Sequence, residues 1–286
     1  MQLLETDIVI FGYGPITQEI LASLQKENNS IICVTDNEYV DRDVNAHKNT
    51  RFLSRSEVVK TKVLSKGTLF SWRDKTPLHR NSSQMQEWLK SDLFRSERSL
   101  FLSSASVYAD SGVSLTESLN NLELDVEENK KYVLEKIMSD IMQSKSIYHS
   151  NLRISNAYGK QLSYGFIGGL LKSITTHVPV QVYSGRLIVR DYISVTDIAF
   201  AVNKLLKVGS DKPNINISTG IGLSIPQVLN IFESHGHGFE NRINVIPTLD
   251  VKSTSILDCT LLDSLVTWEP RNLEQGIAEI LDFPLT

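Results

Sequence analysis

The segment Asp7-Ile-Val-Ile-Phe-Gly12-Tyr-Gly14-Pro15-Ile16-Thr17 constrains the fold more than any other. An unbroken β-branched and aromatic run reads as a strand buried on both faces, the habit of a parallel sheet covered by helices. Two glycines follow at once, which permits a tight turn and close backbone approach to a ligand. Pro15 suits a first helical turn, since its missing N–H would be an orphan donor anyway, and an amphipathic stretch runs from Ile16 to Lys26. The free N–H groups and positive dipole end of such a helix favour an anion. Gly12, Gly14, Pro15 and Ile16 are therefore candidate pyrophosphate contacts. The third glycine of a G-x-G-x-x-G fingerprint is replaced by Thr17, so a plain strand–turn–helix corner is the competing reading.

Asp36 shifts the balance. It ends the second apolar run, Ile31-Ile-Cys-Val-Thr35, about 20 residues after the glycine turn, where a carboxylate can accept hydrogen bonds from both adenosine ribose hydroxyls. The same charge repels a 2′-phosphate, which favours NAD over NADP, the latter staying open. A solvated Asp at an Asp36-Asn37 turn is the alternative.

Further strand candidates are Thr68–Trp72, Ser99–Ser103 and Asn151–Ile154, and helical patterns cover Gln84–Leu93 and Val126–Ile147. The alternation predicts an α/β fold with a Rossmann-type doubly wound parallel sheet. With 286 residues, roughly 150 per domain allows about two domains. We assign 1–158 as the dinucleotide-binding domain and 159–286 as a smaller α/β substrate-binding portion. Its expected helices are 165–176, 195–207, 224–234 and 272–281. Its expected strands are 180–183, 215–217 and 242–246, some returning to the main sheet. The acidic, Asn-rich stretch 117–129 reads as a solvated loop.

The formal charge of −4 argues against a broad nucleic-acid surface, without excluding a local Arg for a phosphorylated metabolite. Cys33 and Cys259 make neither a disulfide framework nor a metal site. A reduced, cytoplasmic compartment fits, with no basic leader in 1–7 and no apolar run approaching the roughly 18 residues of a membrane span.

Tyr132-Val-Leu-Glu-Lys136 places Tyr and Lys at i and i+4 on one helix face. A phenol has a reference pKa of about 10, and a nearby ammonium stabilises the phenolate. Tyr132 is thus a candidate acid/base for a hydroxyl or carbonyl. Taken alone, the pair is equally a surface Tyr/Lys pair. Ser103-Ser-Ala-Ser106-Val-Tyr-Ala109 follows a strand, so Ser106 would lie on the ligand rim. These serines could also serve only to satisfy loop backbone groups.

With Leu152-Arg-Ile-Ser-Asn156-Ala-Tyr-Gly159, the run from Val189-Arg190-Asp through Asp197-Ile-Ala199, and the tail from Thr267-Trp-Glu-Pro270 to Gly276, these motifs resemble the extended short-chain dehydrogenase/reductase family. The likeness is to its nucleotide-sugar epimerase, dehydratase and ketoreductase branch, and it runs through nearly the whole chain. It implies Tyr132 as proton donor or acceptor, Lys136 as holder of the nicotinamide ribose, Ser106 as orienter of the reacting oxygen and Ser104 among the cofactor contacts. It also implies Asn156 on the sugar nucleotide and Arg190 on its diphosphate, where a planar guanidinium can bind two oxygens at once. A structural Arg190–Asp191 contact is the competing reading. Tyr183 would lie against the base, unless it is simply core. A nucleotide-diphosphate sugar as substrate and a homodimer follow from the same likeness.

The chain departs from the family at Phe11 and Thr17, which stand in for glycines, and at Phe70-Ser-Trp-Arg73. Dehydratases of this branch carry Asp-Glu beside the active-site hydroxyl, whereas Ala105, Ser106 and Val107 supply no carboxylate. Two reactions remain. The compact length and altered turn favour an NAD(P)-dependent keto-sugar reductase with Tyr132 as proton donor. The alternatives are an epimerase with tightly bound NAD and a non-catalytic dinucleotide-binding relative.

Overall fold

The computed structural model describes residues 2–36, 49–71, 82–108, 115–117, 130–184, 188–247 and 254–282. In chain order the first elements are β1 (Gln2–Phe11), α1 (Pro15–Gln25), β2 (Ile31–Val34), β3 (Thr50–Leu53), α2 (Arg55–Val58), β4 (Thr61–Phe70), α3 (Ser82–Lys90), β5 (Phe94–Ser104), α4 (Lys130–Ser144) and β6 (Tyr148–Ile154). Then come β7 (Asn156–Tyr158), α5 (Gly165–Thr176), β8 (Val180–Ser184), β9 (Val189–Ser194), α6 (Val195–Val208), β10 (Asn214–Ile217), β11 (Gly222–Ser224), α7 (Ile225–Ser234), β12 (Ile243–Pro247), β13 (Thr254–Ser255), α8 (Thr260–Leu265) and α9 (Leu273–Leu281). The described residues of 1–107, 122–153 and 199–215 form one compact unit, and those of 108–121, 154–198 and 216–286 form another.

The first unit carries a seven-stranded sheet in the order β10-β6-β5-β4-β1-β2-β3. Pairings along β3-β2-β1-β4-β5 are parallel, so the doubly wound sheet expected from the sequence is the one formed. The chain winds outward from β1 to β3, then returns past β1 to lay down β4 and β5. That reversal opens a crevice at the carboxyl ends of β1 and β4, where ligands of such folds sit. Ile8 and Ile10 on one face of β1, and Val9 and Phe11 on the other, are all buried, as a sheet covered on both sides requires. On the Phe11 side, Phe70, Trp88, Phe94, Phe101, Leu134 and Met138 close the core.

The strands are longer than their apolar runs. β1 begins at Gln2, and Gln2–Thr6 pair with Thr61–Ser65 of β4; exposed and half-exposed side chains there hide the extended backbone from a hydropathy reading. β3 and α2 were not expected at all. Thr-Arg-Phe-Leu is short, and only Leu53 in it is buried, the mixed pattern of an edge strand. The helix expected to reach Leu93 ends at Lys90, and Ser91 folds back to bond Trp88 and Glu87 carbonyls. Trp72 and residues 126–129 lie outside the described residues.

His149, at the start of β6, is a half-buried group with a clear pH signature. Its ring nitrogens lie 3.0 Å from Ser99 Oγ and 3.1 Å from Asn151 Oδ1. Burial lowers its pKa from 6.5 to about 4, opposed by the Asn151 contact. Below about 6.5 the unfolded chain takes a proton that the native chain refuses, so stability is lost as pH falls towards 4. The slope from this group is about 1.4 kcal/mol per pH unit. Urea unfolding between pH 7 and 4 is expected to show this slope, and His149→Gln to flatten it; an unaltered slope in the variant would contradict the assignment.

In the second unit, β11-β9-β13 and β7, which pairs with β9, form a four-stranded sheet, and β12-β8 form a two-stranded one. Tyr158, Tyr192, Leu170, Val228, Phe232 and Ile277 fill its core. Tyr158 fits only because position 276 is glycine: a Cβ there would lie 2.0 Å from the phenol oxygen.

Candidate active site

Parallel register brings the strand ends of the first unit to one rim. Phe11 pairs with Val34 and Phe70, and Val34 with Leu53. One step beyond, Gly12 donates its N–H to Val34 O at 2.9 Å, and Ser71 donates to Phe11 O at 2.8 Å. Gly12 has φ +98°, and a Cβ on it would stand 2.2 Å from Ser71 O. Only glycine turns the chain here. Gly12→Ala is expected to cost about 1–3 kcal/mol of stability and to weaken NADH binding about tenfold or more, equivalent to about 1.4 kcal/mol. Chemical unfolding and NADH fluorescence titration check the two effects separately; unchanged NADH affinity would move the pyrophosphate away from this turn.

Gly14 caps α1 and Pro15 opens it, leaving the Ile16 and Thr17 amides at the helix start, where no intrahelical acceptor exists. Thr17 takes over the third glycine's place in an unexpected way. Its hydroxyl accepts the Gly14 N–H at 2.7 Å and donates to Gly14 O at 3.0 Å, stitching the turn shut from beneath while buried. Phe11 turns into the core and stacks on Phe70, centroids 4.7 Å apart and planes 10° apart. Neither substitution puts a side chain over the turn. Tyr13 packs edge-on against Phe52 at 5.6 Å.

Asp36, exposed beyond β2, meets Arg55 at the start of α2, with Oδ1 accepting the Arg55 N–H at 2.9 Å and Oδ2 3.1 Å from Nε. Sequence reasoning did not find Arg55, because β3 and α2 were not foreseen. The Ser54-Arg-Ser-Glu57 capping box was the available signal: Ser54 N–H reaches Glu57 Oε2 at 2.7 Å, and Glu57 N–H reaches Ser54 Oγ at 3.3 Å.

At the end of β5 the chain makes a short 3₁₀ turn, Ala105–Val107, against which α4 packs. Ser106 is exposed on this turn, Tyr132 is half-buried on α4, and Lys136 is exposed one turn further along. The helix geometry thus puts the Tyr–Lys stripe on the element that contacts the Ser106 turn. Ser104 Oγ accepts the Ser106 N–H at 3.2 Å, so this serine also shapes its own loop. The rotation of α4 is fixed from behind. Glu135 and Arg153 form a two-point ion pair, Nε to Oε1 at 3.2 Å and Nη2 to Oε2 at 2.9 Å, with both side chains almost wholly buried. One turn on, Ser139 Oγ accepts from Asn151 Nδ2 at 3.2 Å. At 3.6 residues per turn, the Tyr132/Lys136 stripe lies about 60° around the helix from this anchored stripe.

The remaining expected contacts belong to the second unit. Asn156 on β7 is exposed and donates to Asp191 O at 3.0 Å. Arg190 on β9 is half-buried and donates to Val189 O at 2.9 Å. Asn156 is in register with Tyr192, two residues from Arg190, so the two polar side chains sit on neighbouring strands. The oxygens of Asp191 serve another partner. Oδ1 accepts the Thr219 N–H at 3.2 Å and its hydroxyl at 2.7 Å, and Oδ2 accepts the Gly220 N–H at 3.0 Å; burial raises its pKa above the ordinary carboxylate value. Tyr183 falls on β8 opposite Ile246. Glu117, expected in a solvated loop, is held instead, accepting the Asn216 N–H at 2.9 Å; 118–129 lie outside the described residues.

A family model described as NAD dependent epimerase/dehydratase family matches residues 12–218. The chain belongs to that family. It is an extended short-chain dehydrogenase/reductase, and its cofactor is NAD. No curated protein matches it by sequence. Among solved structures, it is similar to a UDP-N-acetylglucosamine 4-epimerase from Methanobrevibacter ruminantium in complex with UDP-N-acetylmuramic acid, at 17% identity and TM-score 0.79, covering 99% of this chain and 98% of that one. A UDP-glucuronic acid 4-epimerase from Bacillus cereus, in complex with UDP-glucuronic acid and NAD, shares 14% identity at TM-score 0.77, with 98% of each chain covered. A dTDP-glucose 4,6-dehydratase from Bacillus anthracis, in complex with NAD, shares 18% at 0.76, covering 96% of this chain and 95% of that one.

The first unit's residues fit this family's cofactor. Gly12 and Gly14 put no side chain over the turn, the Ile16 and Thr17 amides at the start of α1 would be free to hold an anion, and the exposed Asp36 carboxylate has acceptor positions for ribose hydroxyls. Among the described residues, no cluster of three or more His, Cys, Asp or Glu could hold a metal, and no helix is long and apolar enough to cross a membrane.

Proposed function

We propose that the chain is an epimerase of a nucleotide-diphosphate sugar. The observation that carries this reading is the packing of α4, with Tyr132 and Lys136 one turn apart, on the Ser106 turn, which lies on the same sheet rim as the glycine cradle with β4 between them. NAD, when bound, supplies a carbon that accepts a hydride from the sugar and gives it back. Tyr132 Oη takes the proton of the sugar hydroxyl as the hydride departs and returns it to the same oxygen when the hydride arrives on the opposite face. Lys136 Nζ, one helical turn further along, holds the nicotinamide ribose. Ser106 Oγ holds the reacting oxygen. The family resemblance assigns Arg190 to a diphosphate and Asn156 to a sugar nucleotide, both in the second unit.

The sequence favoured single reduction of a keto-sugar, partly because the chain is compact. The size does not separate the two reactions, because the chain covers 98% of the length of the two epimerases above. Dehydration has no support in the 3₁₀ turn, where Ala105, Ser106 and Val107 offer no carboxylate to eliminate water. The test is incubation of the purified protein with UDP-glucose, UDP-N-acetylglucosamine and UDP-glucuronic acid, with chromatographic separation of the epimers. Interconversion without net consumption of dinucleotide is expected. Stoichiometric NADH or NADPH oxidation with nucleotide-linked keto-sugars, and no epimer formed, would replace this reading by the reductase.

A further inference from the structure

The carboxylate assigned to the adenosine ribose is already engaged on the rim. Val34 and Leu53 are paired across β2 and β3, and two residues beyond each of them stand Asp36 and Arg55. The capping box at Ser54 fixes where α2 starts, so the Arg55 amide lacks an intrahelical acceptor and gives its hydrogen to Asp36 Oδ1. The guanidinium closes on the second oxygen through Nε. Both side chains keep solvent access, at 34% and 47% exposure, so both can meet a ligand.

We propose that Arg55 shares with Asp36 the choice between the two dinucleotides. A carboxylate has about four acceptor positions, and Arg55 occupies two, leaving two for the ribose 2′ and 3′ hydroxyls. Arg55 thereby orients Asp36 for NAD. A 2′-phosphate would meet the carboxylate's negative charge and would have to compete for a guanidinium already in use. Once the charge at position 36 is gone, the same guanidinium is a ready phosphate receptor, because its planar fork matches two phosphate oxygens. The selectivity for NAD therefore resides in the pair rather than in the acid alone. This inference rests on the NAD cofactor and is independent of the sugar or the reaction.

The test is direct binding, by nicotinamide fluorescence titration of the purified full chain with NADH and NADPH. Wild type is expected to bind NADH about tenfold or more tighter than NADPH, about 1.4 kcal/mol or more. Arg55→Met is expected to weaken NADH several-fold without any gain for NADPH. Asp36→Asn is expected to gain about tenfold or more for NADPH, and Asp36→Asn/Arg55→Met to lose that gain, since a charge-assisted bidentate contact has been removed. Arg55→Lys keeps a cation without the fork and should restore NADH affinity only in part. A circular-dichroism melt of each variant shows that it is folded. Persistence of the NADPH gain in the double variant, or an unchanged NADH affinity in Arg55→Met, would overturn the proposal. Failure of the wild type to bind either nucleotide would overturn the cofactor assignment itself, an outcome visible before any variant is made.

Discussion

Replacing Glu135 by glutamine is expected to cost about 3–5 kcal/mol of unfolding free energy, the loss typical when one partner of a buried ion pair is removed. The two side chains are 3% and 4% exposed, so the Arg153 charge left behind has no water to turn to. The pair is not retained for its net attraction, because desolvating two charges offsets most of that gain. What it adds is a fixed helix rotation. Two hydrogen bonds between one guanidinium and one carboxylate, with the Ser139–Asn151 contact one turn away, hold α4 in one angular setting against β6. A double variant, Glu135→Leu/Arg153→Met, is expected to recover most of the lost stability in urea unfolding, because no unpaired charge remains. It should not recover turnover to the same degree, since α4 is then anchored by packing alone. A cost below about 1 kcal/mol for Glu135→Gln, the range of exposed pairs, would show that the pair does not anchor the helix.

Tyr132→Phe is the complementary experiment, with a large effect on rate and a small one on structure. The substitution removes one oxygen from a half-buried ring on a helix whose register is set by Leu134, Met138 and the Glu135 anchor. Stability and NADH affinity should stay near wild type. Turnover is expected to fall about 10²–10⁴-fold, the usual contribution of a placed acid/base group. Residual binding with lost chemistry is the pattern of a group used only in the transition state. Activity near the wild-type level would assign the proton to another group.

Much of the first unit is legible from sequence because its physics is local. Ile8 to Phe11 must be buried on both sides, Gly12 and Gly14 must turn, and Pro15 must start a helix; each follows from a few adjacent residues. Asp36 could be placed past a strand end, and Tyr132 and Lys136 on one helix face, because strand ends and helix faces can be counted; the roles proposed for them come from the family resemblance. Four things could not be read that way. β3 shows too few buried side chains to register as a strand, and Arg55 was lost with it. The polar half of β1 is a strand only because β4 pairs with it, which no window of β1 discloses. The Glu135–Arg153 pair joins residues 18 apart through the packing of α4 on the sheet, and nothing in either local sequence distinguishes these two charges from solvated ones. Thr17 stands in the pattern as a missing glycine, whereas its hydroxyl supplies a hydrogen-bonded clasp that a glycine lacks.

The account turns on a hydride that leaves the sugar and comes back to the same carbon. Nucleotide sugar deuterated at that carbon, turned over by the purified protein in the presence of unlabelled free NADH, measures this directly. The account predicts an epimer that keeps its deuterium, with none appearing in the free dinucleotide. Loss of the label to solvent, or its passage into the free NADH pool, would contradict it.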